Sequence, residues 1–135
     1  MTATELMIGD WVFNTHNRKP EQVAQIGIGS VMLDYNDLYE YDLIEPIPLT
    51  SEILEKNGFG YTESDGHIKH FFLGERHFCK DMKLHIGTDL DKRNGVFWLN
   101  YFGNSLWRIE YVHELQHAFR LFHITKEIEH ELSLI

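Results

Sequence analysis

The chain has 135 residues, room for one domain or for two very small modules that share a core. Its 43% hydrophobic and 13% aromatic residues are the proportions of a folded protein and exclude a disordered segment. With 12 Lys and Arg against 21 Asp and Glu the net charge is −9, so nucleic-acid binding over a broad face, which needs clustered cations, is disfavoured.

Residues 1–48 read as short strands. The stretch 6–13 is apolar around Gly9-Asp10, 14–20 is polar and turn-like, and 22–29 alternates. Residues 30–35 run apolar through Val31, Met32 and Leu33, and 39–47 alternates again. Four or five short strands with tight turns predict an SH3-like small β-barrel. Pro46 and Pro48 cannot donate to a ladder and mark the exit from it. Thr50 then caps a short helix whose apolar face is Ile53 and Leu54 and whose stop is Asn57-Gly58. Residues 59–107 return to strand character, with turns at Asp65-Gly66, Gly74-Glu75 and Asn94-Gly95. Phe71, Phe72, Phe78, Leu84, Ile86, Val96, Phe97, Trp98, Leu99, Tyr101 and Phe102 are the expected core of that region. A final helix over 109–122 precedes an acidic tail. The fold class expected is therefore α+β: an SH3-like module at 1–48, then an antiparallel sheet with two helices at 49–135, packed against it.

Cys79 is the single cysteine, which rules out an internal disulfide and a Cys-based metal site; a reducing, cytoplasmic setting fits best. The opening residues lack a basic segment followed by an apolar core, and no apolar run approaches the ~20 residues of a membrane span. Neither a secretory signal nor a membrane partner is expected, and the oligomeric state is left open.

One segment could carry chemistry. His113-Glu114-Leu115-Gln116-His117 has the HExxH spacing, in which two His four apart share a helix face and can bind zinc while the Glu activates its water. His123 falls where an extended metzincin motif places a third ligand, making His113, His117 and His123 the alternative metal set and Glu114 the alternative catalytic base. Three features oppose that reading. Arg120 stands where a chain-reversing Gly is needed, so on an unbroken helix His123 lies about 120° around from His117. No Met follows Met82 to form a Met-turn, and Glu127, Glu129 and Glu131 sit on the tail. The amphipathic reading accounts for the same residues: Val112, Leu115, Phe119 and Phe122 form one apolar stripe, leaving Glu110, His113, His117 and Arg120 on an opposite, solvated face. It takes precedence, with no catalytic, cofactor-binding or metal residue assigned. His67, His70 and His77 read as exposed strand histidines, and Cys79 beside Lys80 as a buried thiol. Trp98, Tyr101, Phe102 and Trp107 could stack bases, but at this charge balance they read as core.

The stretch Ile44-Glu45-Pro46-Ile47-Pro48-Leu49-Thr50-Ser51-Glu52-Ile53-Leu54-Glu55-Lys56-Asn57-Gly58-Phe59 resembles the hallmark of a family of small uncharacterised proteins from gut bacteria and their phages and mobile elements. Leu6-Met7-Ile8-Gly9-Asp10-Trp11-Val12 resembles that family's start, and Tyr111-Val112-His113-Glu114-Leu115-Gln116-His117-Ala118 its terminal helix. The family pattern has Gln at the position of Glu114 and often an amide at that of His117. The resemblance thus implies a structural helix, from which this chain departs by having both Glu114 and His117. The function expected is a non-enzymatic accessory or protein-interaction module of phage or mobile-element type, with a protein partner. The alternative is a zinc-dependent hydrolase using the HELQH helix. A third reading, an acidic DNA-mimic inhibitor, suits the charge but has no motif.

Overall fold

The computed structural model describes residues 1–34, 37–64, 68–73, 88–101 and 104–121. Its architecture is α+β, with two five-stranded antiparallel sheets and two helices. Strands β1 (Trp11–Asn14), β2 (Lys19–Ile26), β3 (Ser30–Leu33), β4 (Leu38–Glu40) and β5 (Ile44–Glu45) form the first sheet in the order β4-β3-β2-β1-β5. Among the described residues no pairing joins β4 to β5, so this sheet is open where a barrel would be closed. Three and two residues of edge strand, separated by the 3-10 turn Tyr41–Leu43, offer little ladder with which to close it. The apolar run at 6–13 is strand only from Trp11 onward. Gly9, at φ +93°, turns the chain before β1 begins.

Helix α1 (Ser51–Lys56) forms as its caps require. Thr50 accepts a 3.2 Å hydrogen bond from the Ile53 amide, and Gly58 at φ +91° ends the turn behind Asn57. The second sheet is a meander of β6 (Phe59–Ser64), β7 (Ile68–Leu73), β8 (Thr88–Arg93), β9 (Val96–Tyr101) and β10 (Asn104–Ile109). Asn94 and Gly95, both at positive φ, make the tight β8–β9 turn signalled by the sequence. The turn signals at Asp65-Gly66 and Gly74-Glu75, and the residues Phe78, Leu84, Ile86 and Phe102, lie outside the described residues. Helix α2 (Val112–Leu121) closes the described chain.

Two apolar clusters result. The smaller, Leu6, Val12, Val23, Val31, Leu33 and Ile44, lies within the first sheet. The larger joins Ile47 and Leu49, α1, the inner face of the second sheet (Phe71, Leu90, Phe97, Leu99, Ile109) and the apolar stripe of α2. Strand β1 belongs to both: Val12 enters the small cluster, while its alternate neighbours Trp11 and Phe13 pack against the large one. The proline segment adds a second join. Ile47 accepts from the Val112 amide at 2.8 Å and the Leu49 amide donates to Glu110 at 2.9 Å, flanking a bridge between Pro48 and Tyr111.

Trp98 and Val96 are not core. The register pairs Trp98 with Asp91 and Val96 with Arg93, which puts them on the outer face of the sheet, with Phe97 and Leu99 pointing inward. An unbroken apolar run reads as wholly buried. Among the described residues the sheet is covered on one side only, and that forces alternation on the run. Among the described residues no helix is long and apolar enough to cross a membrane.

Candidate functional site

The polar face of α2 meets the turn that precedes β1. Gly9 makes the turn, and β2 holds it from behind through Gly9 N donating to Val23 O at 2.7 Å and Val23 N donating to Asp10 O at 2.9 Å. That geometry points Asp10 inward, where its side chain is completely buried. The carboxylate accepts from the Met7 amide at 2.8 Å, from His117 Nε2 at 2.6 Å and from Arg120 Nη1 at 2.8 Å. One buried anion is thereby matched to a guanidinium and an imidazole whose outer parts stay in contact with water.

Gln116, between the two histidines of the motif, completes the seam. Its Oε1 accepts from Trp11 N at 2.8 Å and its Nε2 donates to Gly9 O at 3.0 Å. The carboxamide thus acts as one more rung beside β1, which needs both a donor and an acceptor in a fixed plane. Glu114 is engaged at the start of its own helix, where Oε1 accepts from the amides of Glu110 (2.9 Å) and Tyr111 (3.0 Å). A carboxylate there satisfies otherwise free N–H groups and favours the helix dipole.

His113 differs from the rest. It is 5% exposed, its ring stacks on Tyr111 at 5.9 Å and meets the His117 ring edge-on at 5.5 Å, and its Nδ1 has no hydrogen-bond partner. Burial holds the imidazole below the ordinary histidine pKa, aided by His117 and opposed by the Asp10, Glu114 and Glu5 carboxylates.

The face carrying His113, Gln116, His117 and Arg120 is therefore largely covered and not freely solvated: it is the joint between the helix and the N-terminal turn. Of the groups a catalytic zinc site would use, Glu114 and His117 are already engaged. Glu114 points to the helix start, and His117 Nε2 faces a carboxylate neutralised by Arg120. No group of three His, Cys, Asp or Glu among the described residues could hold a metal ion. In this arrangement the residues do not fit a zinc centre with an open coordination position. His123, Glu127, Glu129 and Glu131 lie outside the described residues, as do His67, His77 and Cys79. His70 pairs through Nδ1 with Asp91 on the outer face of the second sheet.

Asp10 and Gln116 are the positions of the joint that the sequence pattern does not single out. Each makes its contacts about a hundred residues away, beyond any periodic pattern; the hydrogen bonds concerned span 105 to 110 positions. The available signal was a lone carboxylate following a glycine within an apolar stretch, opposite a helix face bearing Arg and two His. Compared with known proteins, the chain matches no family model, no curated protein and no solved structure.

Proposed function

We propose that the chain is a non-enzymatic protein-interaction module, cytoplasmic and of phage or mobile-element type, in which an SH3-like β unit at 1–48 is locked onto an α+β unit at 49–135. The observation that carries the non-enzymatic part is the commitment of the HELQH segment to the fold. Glu114 caps its helix, Gln116 extends β1, and His117 and Arg120 grip Asp10. A motif spent in this way has a structural task, and catalysis would have to dismantle the joint between the two sheets. The SH3-like description is supported by strand order, β5 pairing with β1 and a 3-10 turn lying between β4 and β5. The net charge of −9 suits a basic protein partner.

A second reading, a zinc-dependent hydrolase, is favoured by one observation: the unpartnered Nδ1 of buried His113, beside the His117 ring and the Asp10 carboxylate. Elemental analysis of protein prepared without a histidine tag separates the two. Substoichiometric zinc, together with a stoichiometric complex with one basic protein identified by cross-linking in the host, is the expected result. One zinc per chain, lost on His113→Ala, would establish the hydrolase reading instead.

A further inference from the structure

The outer face of the second sheet carries a feature that the joint at α2 does not use. Beside the β8–β9 turn, Arg93, Asn94, Val96 and Trp98 line a depression of about 300 Å³. Arg93 and Val96 are register partners next to the turn, and Trp98 lies two residues further along β9 on the same face. A Cβ added at Gly95, at the turn tip, would meet no described atom within 4 Å.

The Arg93 guanidinium is fixed at two points. Its Nη2 donates to Ser105 Oγ at 3.0 Å, Ser105 in turn donates to Asn100 Oδ1 at 3.0 Å, and its Cζ stands 5.4 Å over the Trp98 ring. Yet among the described residues it has no carboxylate partner, and its Nε is buried without an acceptor. Other cations of the described residues are satisfied otherwise: Arg108 by Glu110, Arg120 by Asp10, and Lys92 by Ser51 and the Phe97 ring. In a chain with 21 acids, an arginine held rigid, set against an indole and left without an anion is the arrangement of a receptor group. Holding the fork in advance removes the rotamer cost that a free arginine would meet on binding.

We propose that this depression binds a small organic monoanion with a flat apolar body, of the aryl carboxylate class. Its carboxylate pairs with Arg93, and its ring lies against Trp98 and Val96. A volume near 300 Å³ is at the lower end for small-molecule sites. One unpaired cation in a protein of net charge −9 selects a single negative charge and repels a polyanion such as nucleic acid. The apolar walls select a ring over a bare ion.

The test is a titration of the ¹⁵N-labelled full chain with benzoate, followed at the Arg93 Nε–H and Trp98 indole N–H resonances. Saturable shifts at both, in the millimolar range, are expected. Neutral benzamide and inorganic phosphate should each bind at least about tenfold more weakly, because each lacks one of the two matched halves. Arg93→Gln should remove the response. Val96→Glu provides a second variant, since its carboxylate faces Arg93 across the ladder and should block benzoate while leaving the thermal midpoint nearly unchanged. Equal binding of benzamide or phosphate, or undiminished shifts in either variant, would overturn the proposal, as would no response to benzoate at all.

Discussion

Replacing Asp10 by Asn keeps the shape of the side chain and removes its charge, so the consequence can be worked from three hydrogen bonds. The carboxylate accepts through Oδ2 from Met7 N and His117 Nε2, and through Oδ1 from Arg120 Nη1. An asparagine has one oxygen and one NH2 group, and every neighbour is a donor. Its best orientation keeps the oxygen on Met7 and His117 and turns the NH2 against Arg120. One charge-assisted hydrogen bond is lost outright, at about 1.5–3 kcal/mol, and the bond to His117 is weakened. Breaking a fully buried pair costs about 3–5 kcal/mol, but Arg120 is 35% and His117 30% exposed, so water recovers part of that. The expected loss is ~2–3 kcal/mol, or roughly 6–12 °C in melting temperature for a chain of this size. Urea unfolding followed by tryptophan fluorescence at pH 7 measures it as a lower midpoint with an unchanged slope. Asp34→Asn is the control: among the described residues its carboxylate bonds only Gln22 N, in an exposed turn, so that variant should stay within about 0.5 kcal/mol. If Asp10→Asn unfolds at the same urea concentration as the control, the buried clamp contributes nothing and the reading of α2 as a joint fails.

Gly9→Ala should destabilise by about 1–3 kcal/mol, because φ is +93° and the added Cβ would sit 3.2 Å from Arg120 Nη2; thermal melting checks it. Glu114→Gln keeps an oxygen for the two helix-start amides and should cost under about 1 kcal/mol, whereas Glu114→Ala should lose about 1 kcal/mol or more in the same urea assay. Stability should also depend on pH through His113. Its folded pKa is depressed, so below the ordinary value of about 6.5 the unfolded chain binds the extra proton. The stabilisation is complete above that value and declines as pH falls below it. His113→Phe removes the proton-binding ring and the unpartnered Nδ1, and should flatten the urea midpoint between pH 7 and 5.5; an equally steep profile in the variant would assign the dependence elsewhere.

Local signals in the sequence carried the elements well. The Thr50 cap, the Asn57-Gly58 stop and the Asn94-Gly95 turn depend on neighbours within a few residues, and each stands where expected. Long-range partners could not be read. Trp98 lies in an apolar run with no alternation to show that it would point away from the core cluster, and so by sequence it reads as core. The polar stripe of α2 had the same ambiguity. Periodicity separates apolar from polar positions, but it does not say whether the polar side faces water or a buried carboxylate from another segment. Asp10 decides that, and its partners are 107 and 110 positions away.

The spacing that makes HExxH a metal motif also makes it suitable for this joint. Side chains four apart stack on one helix face about 6 Å from each other, and the group they meet there can be a zinc ion, a carboxylate or a carbonyl row. Here His117 and Arg120, three apart, converge on Asp10, while Gln116 meets the backbone on either side of it. A buried ion pair of this kind is a poor source of net stability, since apolar side chains of the same volume would pack as well or better. Its effect is selective. Only one docking of the Gly9 turn brings Asp10 within reach of both the His117 ring and the Arg120 guanidinium and aligns Gly9 O and Trp11 N with one carboxamide. Any sliding of β1 along α2 would leave a buried charge unpaired and two backbone groups unsatisfied. Because β1 contributes to both apolar clusters, fixing its place on α2 also fixes the first sheet relative to the second.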